Sequence, residues 1–472
     1  MRKSQNNPLV YFTSLELESV RCFGHPPKLD LTDGKGNPAR WTLLLGDNGV
    51  GKTTLLQCLS WMRPVFEKSG YEGPTPLRKG QLGPALQQEE NEVLEGLLRS
   101  GKAVELRLAS ELSFNNALVS PKGTKKTRSR ASRRKIKTSI QLWYTTKKEL
   151  REYETHGTKI QKRESFVEPL IVTYGANRHM GRQNLDVSNL EDPIAARLSD
   201  LTELYDAEEI LSKLDHAAAK KRYRGIENRR LEKIKEILAR ILPDIEKSSD
   251  IKILAPKIAT DSLILSGVRF KTFSGLVPLS ALSLGYQTTL AWTVDLAWRL
   301  FQHYTKSRNP LAEPAIVIID EIDLHLHPLW QRTIMDDLSR LFPRTQFIAT
   351  AHSPLMVQSA PDANLAVLHK IKDEVIIEND PEVVRSWRVD QILNSELFGL
   401  PTSRDAKTEL LFRERARLLD KIRRNRSEQA RLRHLERQLA LVPTASDKRD
   451  QRAMDLIRKA ATILKRREGL VA

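Results

Sequence analysis

The chain has 472 residues, of which 40% are hydrophobic and 29% charged, so it can bury an extensive core and is not broadly disordered. Its net charge of +18 favours a polyanionic partner, and we expect nucleic acid. Two cysteines are too few for a disulfide framework or a four-thiolate zinc site. Because the sequence has no long apolar run and no apolar core near its N-terminus, we expect a cytoplasmic protein with no membrane partner.

The hydrophobic pattern predicts strands and helices in alternation. Apolar residues alternate over 10–20 and run continuously over 41–45, which predicts two strands, and a glycine loop and a helix over 52–62 follow. An insertion over 64–102 contains one predicted helix at 87–99. The later predicted elements are strands over 103–114, 138–146, 169–174, 251–254 and 262–273, helices between 190 and 242, and a helix, strand, helix and strand over 285–350.

A basic segment separates two of these strands. Nine of the sixteen side chains over 122–137 are positive, and no acid occurs over 115–148. Such a block repels itself, so we expect a mobile loop that either stays solvated or clamps DNA or RNA. The candidate nucleic-acid contacts are Lys125, Lys126, Arg128, Arg130, Arg133 and Arg134.

The C-terminal part of the chain is also basic. Residues 404–472 contain 20 basic and 10 acidic side chains, and leucines spaced for one helical face predict a helical hairpin. We therefore predict a first domain over 1–380, with a helical lobe at about 180–250 and a basic insertion at about 115–137, and a basic helical region over 381–472.

The loop over 46–53 matches the phosphate-binding pattern G-x-x-x-x-G-K-[ST]. Its glycines let backbone N–H groups surround phosphate oxygens, and the next helix directs its positive end at the same anion. Lys52 can reach the β and γ phosphates of ATP, and the Thr53 hydroxyl can hold Mg²⁺. The predicted ATP contacts of the loop are Asn48, Gly49, Gly51, Lys52, Thr53 and Thr54.

Acidic residues end the predicted strand over 316–319. Asp320 suits Mg²⁺ binding, and Glu321 is placed to orient and deprotonate a water facing the γ phosphate. His352 follows a neighbouring predicted strand, which would set it beside that phosphate. Ser283 and Gly285 begin a helix, where Ser283 is either an ordinary helix cap or part of a second phosphate cradle supplied by another subunit.

Taken in chain order, these four segments closely resemble the ABC-type ATPases of the structural-maintenance-of-chromosomes superfamily, in which they are Walker A, signature, Walker B and switch histidine. The resemblance implies an α/β ABC-ATPase head over 1–380 with a mixed β-sheet core and an inserted helical lobe, an all-α basic C-terminal region, and a nucleotide contact for Arg21. It also implies ATP and Mg²⁺ as cofactors and a head-to-tail homodimer or higher homo-oligomer.

Within that superfamily, residues 320–328 and 350–354 are similar to the compact bacterial ATPases of the overcoming-lysogenization-defect and Septu defence types. Residues 386–393 and 397–403 look like the stretch that follows the core in Septu ATPases, and a similar ATPase accompanies reverse transcriptases in some retrons. Residues 172–178 resemble the Tyr-Gly-x-x-Arg segment of these proteins, with Asn177 or Arg178 where transporters carry a Q-loop Gln. The resemblance implies a separate HNH-type nuclease subunit, and a complex with reverse transcriptase and noncoding RNA in a retron setting.

The resulting hypothesis is a slow, regulatory ATPase that restrains a partner nuclease in antiphage defence. Two alternatives stay open at this point. One is a DNA-repair ATPase of the RecF or SMC kind, and the other is a scaffold that binds ATP only to assemble.

Overall fold

The structure is a computed structural model, and the residues it describes are 9–24, 26–66, 81–88, 94–99, 105–115, 133–145, 147, 149–159, 169–176, 207–219, 224–242, 245–254, 267–379, 387–395, 397–399, 404–421, 423–439 and 442. The strands are β1 (Leu9–Glu18), β2 (Lys28–Asp30), β3 (Trp41–Gly46), β4 (Pro64–Phe66), β5 (Gln81–Pro84), β6 (Glu105–Asn115), β7 (Arg133–Tyr144), β8 (Leu150–His156), β9 (Thr158–Lys159), β10 (Leu170–Tyr174), β11 (Ile251–Leu254), β12 (Gly267–Thr272), β13 (Gly275–Pro278), β14 (Ala315–Ile319), β15 (Thr345–Thr350), β16 (Asn364–Ile371) and β17 (Glu374–Asn379). The α-helices are α1 (Lys52–Trp61), α2 (Ala207–Ala219), α3 (Arg224–Ile241), α4 (Leu284–His303), α5 (Pro328–Gln331), α6 (Ile334–Leu341), α7 (Pro354–Ser359), α8 (Val389–Leu393), α9 (Ala406–Leu419) and α10 (Arg426–Leu439).

A six-stranded sheet carries the motif-bearing strands in the order β10-β14-β15-β3-β16-β17. All its pairings are parallel except that of β16 with β17. Strands β14 and β15 are buried on both faces. The continuous apolar sequence of β14 predicts this, whereas β15 buries three polar residues, Thr345, Gln346 and Thr350. Parallel strands end at the same edge, so the loops after β3, β14 and β15 meet there. The predicted α/β class with a mixed sheet is confirmed.

A second, antiparallel sheet packs over helix α1 with the strand order β2-β1-β6-β7-β8. Its inward side chains share one core with α1 and the six-stranded sheet, as Phe12, Leu56 and Ile318 illustrate. The buried Gln346 side chain of β15 joins the two sheets, because its amide accepts from the Phe12 N–H and donates to the carbonyls of Phe12 and Ala39. These three hydrogen bonds fix the position of β15 along its axis relative to β1.

Helices α2 and α3 pack on each other and on α4, and α2 also contacts the small sheet β11-β12-β13. Apolar side chains of α2 at Ile210, Leu211 and Leu214 are buried at helical spacing. A remaining three-stranded sheet has the order β4-β5-β9.

The predicted helix at 87–99 is described only at its two ends: Ala85–Gln88 is a 3₁₀ turn, residues 94 and 95 are helical, and Leu98 forms a β-bridge with Val20. One local prediction is wrong. The predicted basic loop ends earlier than 137, since β7 already begins at Arg133. Cross-strand pairing explains this extension, because Glu111 of β6 forms ion pairs with Lys135 and Lys137 and so offsets their mutual repulsion.

The chain separates into two compact units, Met1–Ile392 and Leu393–Ala472. The domain bounds made from the sequence stay predictions. In the second unit α9 and α10 form a helical hairpin around Leu418, Leu432 and Leu435, and Arg431 makes two hydrogen bonds to the Glu414 carboxylate. None of the helices in the described ranges has both the length and the apolar sequence needed to cross a bilayer.

Candidate functional site

The loop between β3 and α1 has the backbone of a phosphate cradle. Gly46, Gly49 and Gly51 have φ angles of +136°, +80° and +88°, which L side chains rarely adopt. The Lys52 Nζ donates to the carbonyls of Gly46 and Asp47, both at 2.8 Å, and so spans the loop. A Cβ added at Gly49 would meet no atom within 4 Å, so the loop faces open space. This geometry fits the β and γ phosphates of ATP.

Cys22 packs behind the same loop, a contact that no pattern in the sequence predicts. Its Sγ donates to the Val50 carbonyl at 3.6 Å, and a Cβ added at Gly51 would overlap that sulfur. Burial raises the pKa of the Cys22 thiol, so the thiol stays protonated near neutral pH. The second cysteine, Cys58, is fully buried on α1.

Thr53 and Asp320 are 267 residues apart in sequence but share a hydrogen bond. The Thr53 hydroxyl donates to Asp320 Oδ2 at 2.6 Å. Asp320 is 4% exposed, at the carboxyl end of β14. Burial lowers the pKa of Lys52, and the nearby carboxylates of Asp320 and Glu321 oppose that shift. A hydroxyl and a carboxylate oxygen are hard ligands suited to Mg²⁺, so these two residues would hold the ion with the nucleotide.

Glu321 adopts a left-handed backbone, with φ of +50°. It is half-buried, and its N–H donates to the Thr350 hydroxyl at 2.6 Å. The His352 N–H donates to Asp323 Oδ2 at 3.0 Å, while the residue itself is exposed. The two predicted catalytic residues therefore lie on adjoining loops that are tied together by hydrogen bonds.

Arg21 lies against helix α1. Its Nη1 donates to Thr54 Oγ1 at 3.2 Å and to Gln57 Oε1 at 3.0 Å, and its Nε donates to the Gly96 carbonyl. The structure thus brings together two predicted ATP contacts, Arg21 and Thr54. The Arg21 guanidinium, however, makes its hydrogen bonds to protein groups. Asn48 is exposed on the loop, one residue before Gly49.

Ser283 and Gly285 lie beside the loop that follows Glu321. Ser283 occupies the N-cap position of α4, yet its hydroxyl makes no capping hydrogen bond and the residue is exposed. Gly285 is buried, and a Cβ there would overlap the carbonyl oxygen of His325, which has φ of +63°. The helix start is therefore fitted to the loop after Walker B of its own chain rather than to the Gly46–Thr53 cradle.

Several predicted site residues fall outside the described ranges, namely Asn177, Arg178, Lys125, Lys126, Arg128 and Arg130. Arg133 and Arg134 belong to β7, where Arg134 is exposed. Sequence reasoning also missed a polar connection behind the site. The Tyr174 hydroxyl donates to the buried Asp295 of α4 at 2.8 Å, and Asp320 N–H donates to the Tyr174 carbonyl at 2.8 Å.

Comparisons with known proteins find a matching family and several relatives. A family model described as "AAA domain, putative AbiEii toxin, Type IV TA system" matches residues 42–358. The Septu protein PtuA of Bacillus mycoides (strain KBAB4) is 25% identical over 378 residues, which are 79% of this chain and 43% of that protein. The Retron Vc95 probable ATPase of Vibrio cholerae serotype O1 biovar El Tor is 34% identical over 138 residues, which are 29% of this chain and 25% of that protein.

The matched region spans less than half the length of each of these two relatives. The expected resemblance to Septu and retron ATPases is confirmed. Among solved structures, the SMC head domain from Thermotoga maritima is similar with 13% identity and a TM-score of 0.39, over 79% of this chain and 99% of that one.

Proposed function

The chain belongs to the AAA-domain family whose model matches residues 42–358, and from that premise we propose that it binds ATP with Mg²⁺ and hydrolyses ATP slowly. The observation that carries the proposal is the 2.6 Å hydrogen bond between Thr53 and Asp320, beside Lys52 and next to Glu321. A P-loop threonine and a Walker B aspartate hold Mg²⁺ in P-loop ATPases. That arrangement is present here in one cluster.

Each side chain has a proposed task. Lys52 offsets negative charge on the β and γ phosphates, and Thr53 and Asp320 orient Mg²⁺. Glu321 orients a water and accepts its proton, which is general-base catalysis. His352 donates to the γ phosphate. The bound metal supplies electrostatic stabilisation of the charge that develops on the phosphoryl oxygens.

We propose that two copies dock head to tail on ATP, alone or within a larger homo-oligomer. Exposed residues at the start of α4 support this, since Ser283 has an uncapped hydroxyl and Leu284 is 50% exposed. Nearby in sequence after Walker B, Leu329 of α5 is 70% exposed. Apolar and hydroxyl side chains that are solvent-accessible in one copy would be covered by the partner's cradle, so that ATP itself forms part of the interface.

We further propose that the dimer restrains a separate HNH-type nuclease in antiphage defence. The similarity to Septu and retron ATPases supports this role, and in a retron setting the assembly would include a reverse transcriptase and noncoding RNA. The exposed arginines Arg426, Arg433 and Arg437 of α10 are on the helix face opposite Leu435, where they would contact nucleic-acid phosphates.

The decisive experiment compares wild-type protein with Glu321→Gln, Lys52→Ala and, as a control, Glu436→Gln on the exposed surface of α10. Phosphate release and molar mass by light scattering are measured with and without ATP and Mg²⁺. We expect ATP to convert wild-type monomer to dimer, Glu321→Gln to retain the dimer without phosphate release, and Lys52→Ala to lose both. Unchanged mass together with no ATP binding by the wild type would refute the proposal.

The same variants separate an enzyme from a scaffold. A scaffold would assemble on ATP without releasing phosphate, and Glu321→Gln would not alter it. The nuclease role is tested by purifying the chain with the products of its neighbouring genes. If no neighbouring gene encodes a nuclease and none co-purifies, the defence assignment fails while the ATPase assignment stands.

A further inference from the structure

Thr350 ends strand β15 and makes hydrogen bonds to both acidic residues of Walker B. Its side chain is completely buried, with an exposed fraction of 0%. The Oγ1–H donates to Asp320 Oδ1 at 2.6 Å, and the same oxygen accepts the Glu321 N–H at 2.6 Å. The Thr350 carbonyl also accepts the Ile322 N–H at 3.0 Å. Thr350 thus makes hydrogen bonds to three consecutive residues, Asp320, Glu321 and Ile322.

These bonds determine how the two acids are directed. Because Thr350 occupies Asp320 Oδ1, the other oxygen of that carboxylate, Oδ2, is directed at Thr53. Thr350 also accepts the Glu321 N–H and so stabilises the left-handed φ of +50° at Glu321. That backbone angle sets the direction in which the Glu321 side chain leaves the chain. A left-handed backbone is unfavourable for a non-glycine residue, so neighbouring hydrogen bonds must stabilise it.

Only a hydroxyl of this size can do both tasks. A hydroxyl offers one donor and two acceptor lone pairs, so it can donate to a carboxylate and accept from an amide at the same time. Valine has the same shape but neither group, so it would remove both of these hydrogen bonds at a buried site. Serine keeps the hydroxyl and loses only a methyl group.

We propose that Thr350 is a positioning residue for hydrolysis, which sets the orientation of Glu321 toward water and of Asp320 toward Thr53 and Mg²⁺. The inference rests on the proposed ATPase function and deepens it. Thr350 acts through the two acids and does not itself touch the nucleotide.

The strand provides a matched control. Thr345 begins β15, is 1% exposed, and its Oγ1 makes no hydrogen bond within the described part of the chain. Replacing either threonine by valine makes the same chemical change at a buried site on the same strand. Thr350→Val removes two hydrogen bonds to the acids, whereas Thr345→Val removes none.

Turnover and ATP affinity are measured for the full chain carrying Thr350→Val, Thr350→Ser or Thr345→Val. A catalytic group displaced by about 1 Å loses about 100-fold in rate, so we expect Thr350→Val to lower kcat by about 10- to 100-fold with the KM for ATP within about threefold. Thr350→Ser should restore kcat to within about threefold of wild type, and Thr345→Val should match wild type.

Two results would overturn the inference. One is wild-type turnover in Thr350→Val, and the other is a loss in Thr350→Ser as large as in Thr350→Val. Failure of the proposed function looks different, since the wild type would then neither bind nor hydrolyse ATP. If Thr350→Val does not fold, Thr350→Ser provides the test, because that variant keeps the hydroxyl and a loss of turnover of about tenfold or more in it would overturn the inference.

Discussion

Arg299 and Asp295 form a buried ion pair one turn apart on α4, and the chain contains an exposed counterpart. The buried pair has an N–O distance of 2.7 Å with side chains 9% and 0% exposed. The counterpart on α6, Arg340 with Asp336, has the same i,i+4 spacing and a distance of 2.8 Å, but its side chains are 61% and 68% exposed. The two pairs therefore differ mainly in solvent access.

Replacing the arginine of each pair by methionine separates the effect of burial. Arg299→Met removes the charge partner of the buried Asp295 carboxylate, which keeps its hydrogen bond from the Tyr174 hydroxyl. Removing one partner of a buried ion pair lowers the free energy of unfolding by about 3–5 kcal/mol. Arg340→Met breaks a solvent-screened pair, which contributes within about 0.5 kcal/mol. Arginine and methionine have similar helix propensities, so the helix itself is little changed.

Urea unfolding followed by far-ultraviolet circular dichroism measures the difference. With a slope of about 3 kcal/mol per molar urea, Arg299→Met should lower the midpoint by about 1 M or more, and Arg340→Met by less than about 0.2 M. The double variant Asp295→Leu with Arg299→Met should recover part of the loss, because it removes the uncompensated charge. Equal midpoints for the two single variants would refute the reasoning from burial.

Two further predictions concern the cradle and the C-terminal hairpin. Gly51→Ala should abolish binding of a fluorescent ATP analogue, because φ at Gly51 is +88° and the added Cβ overlaps Cys22 Sγ. Adding Cys22→Ala should not restore binding, since the backbone strain remains. Full recovery in the double variant would show that the sulfur alone is the obstacle. Replacing Arg426, Arg433 and Arg437 by glutamine should reduce the slope of log affinity for duplex DNA against log salt concentration by about 2–3. The control Arg431→Gln removes an arginine that is paired with Glu414, so it should change this slope little. An unaltered slope in the triple variant excludes this face as a phosphate contact.

Local patterns predicted the glycine loop and the buried strand on either side of the candidate site. Glycines at 46, 49 and 51 have positive φ, and the buried apolar strand before Asp320 is β14. These features are encoded within short windows, because a phosphate loop needs glycine at fixed spacing and a parallel strand needs continuous apolar residues. Local information failed at 133–137, where a run of positive side chains indicates a loop, but β7 already begins at Arg133 because Glu111 of β6 pairs with Lys135 and Lys137.

The missed contacts depend on the register between strands that are distant in sequence. Thr350 reaches Asp320 because β14 and β15 pair in parallel with Ile319 opposite Ala349, which brings the next residue of each strand side by side. A shift of one residue would point the hydroxyl to the other face of the sheet. No periodicity in the sequence encodes that register; it follows from the packing of β15 against β1 through Gln346. Gln346→Leu should therefore lower turnover as well as stability, although it lies at the opposite end of the strand from the site, and normal turnover in a folded Gln346→Leu protein would show that the register is set elsewhere.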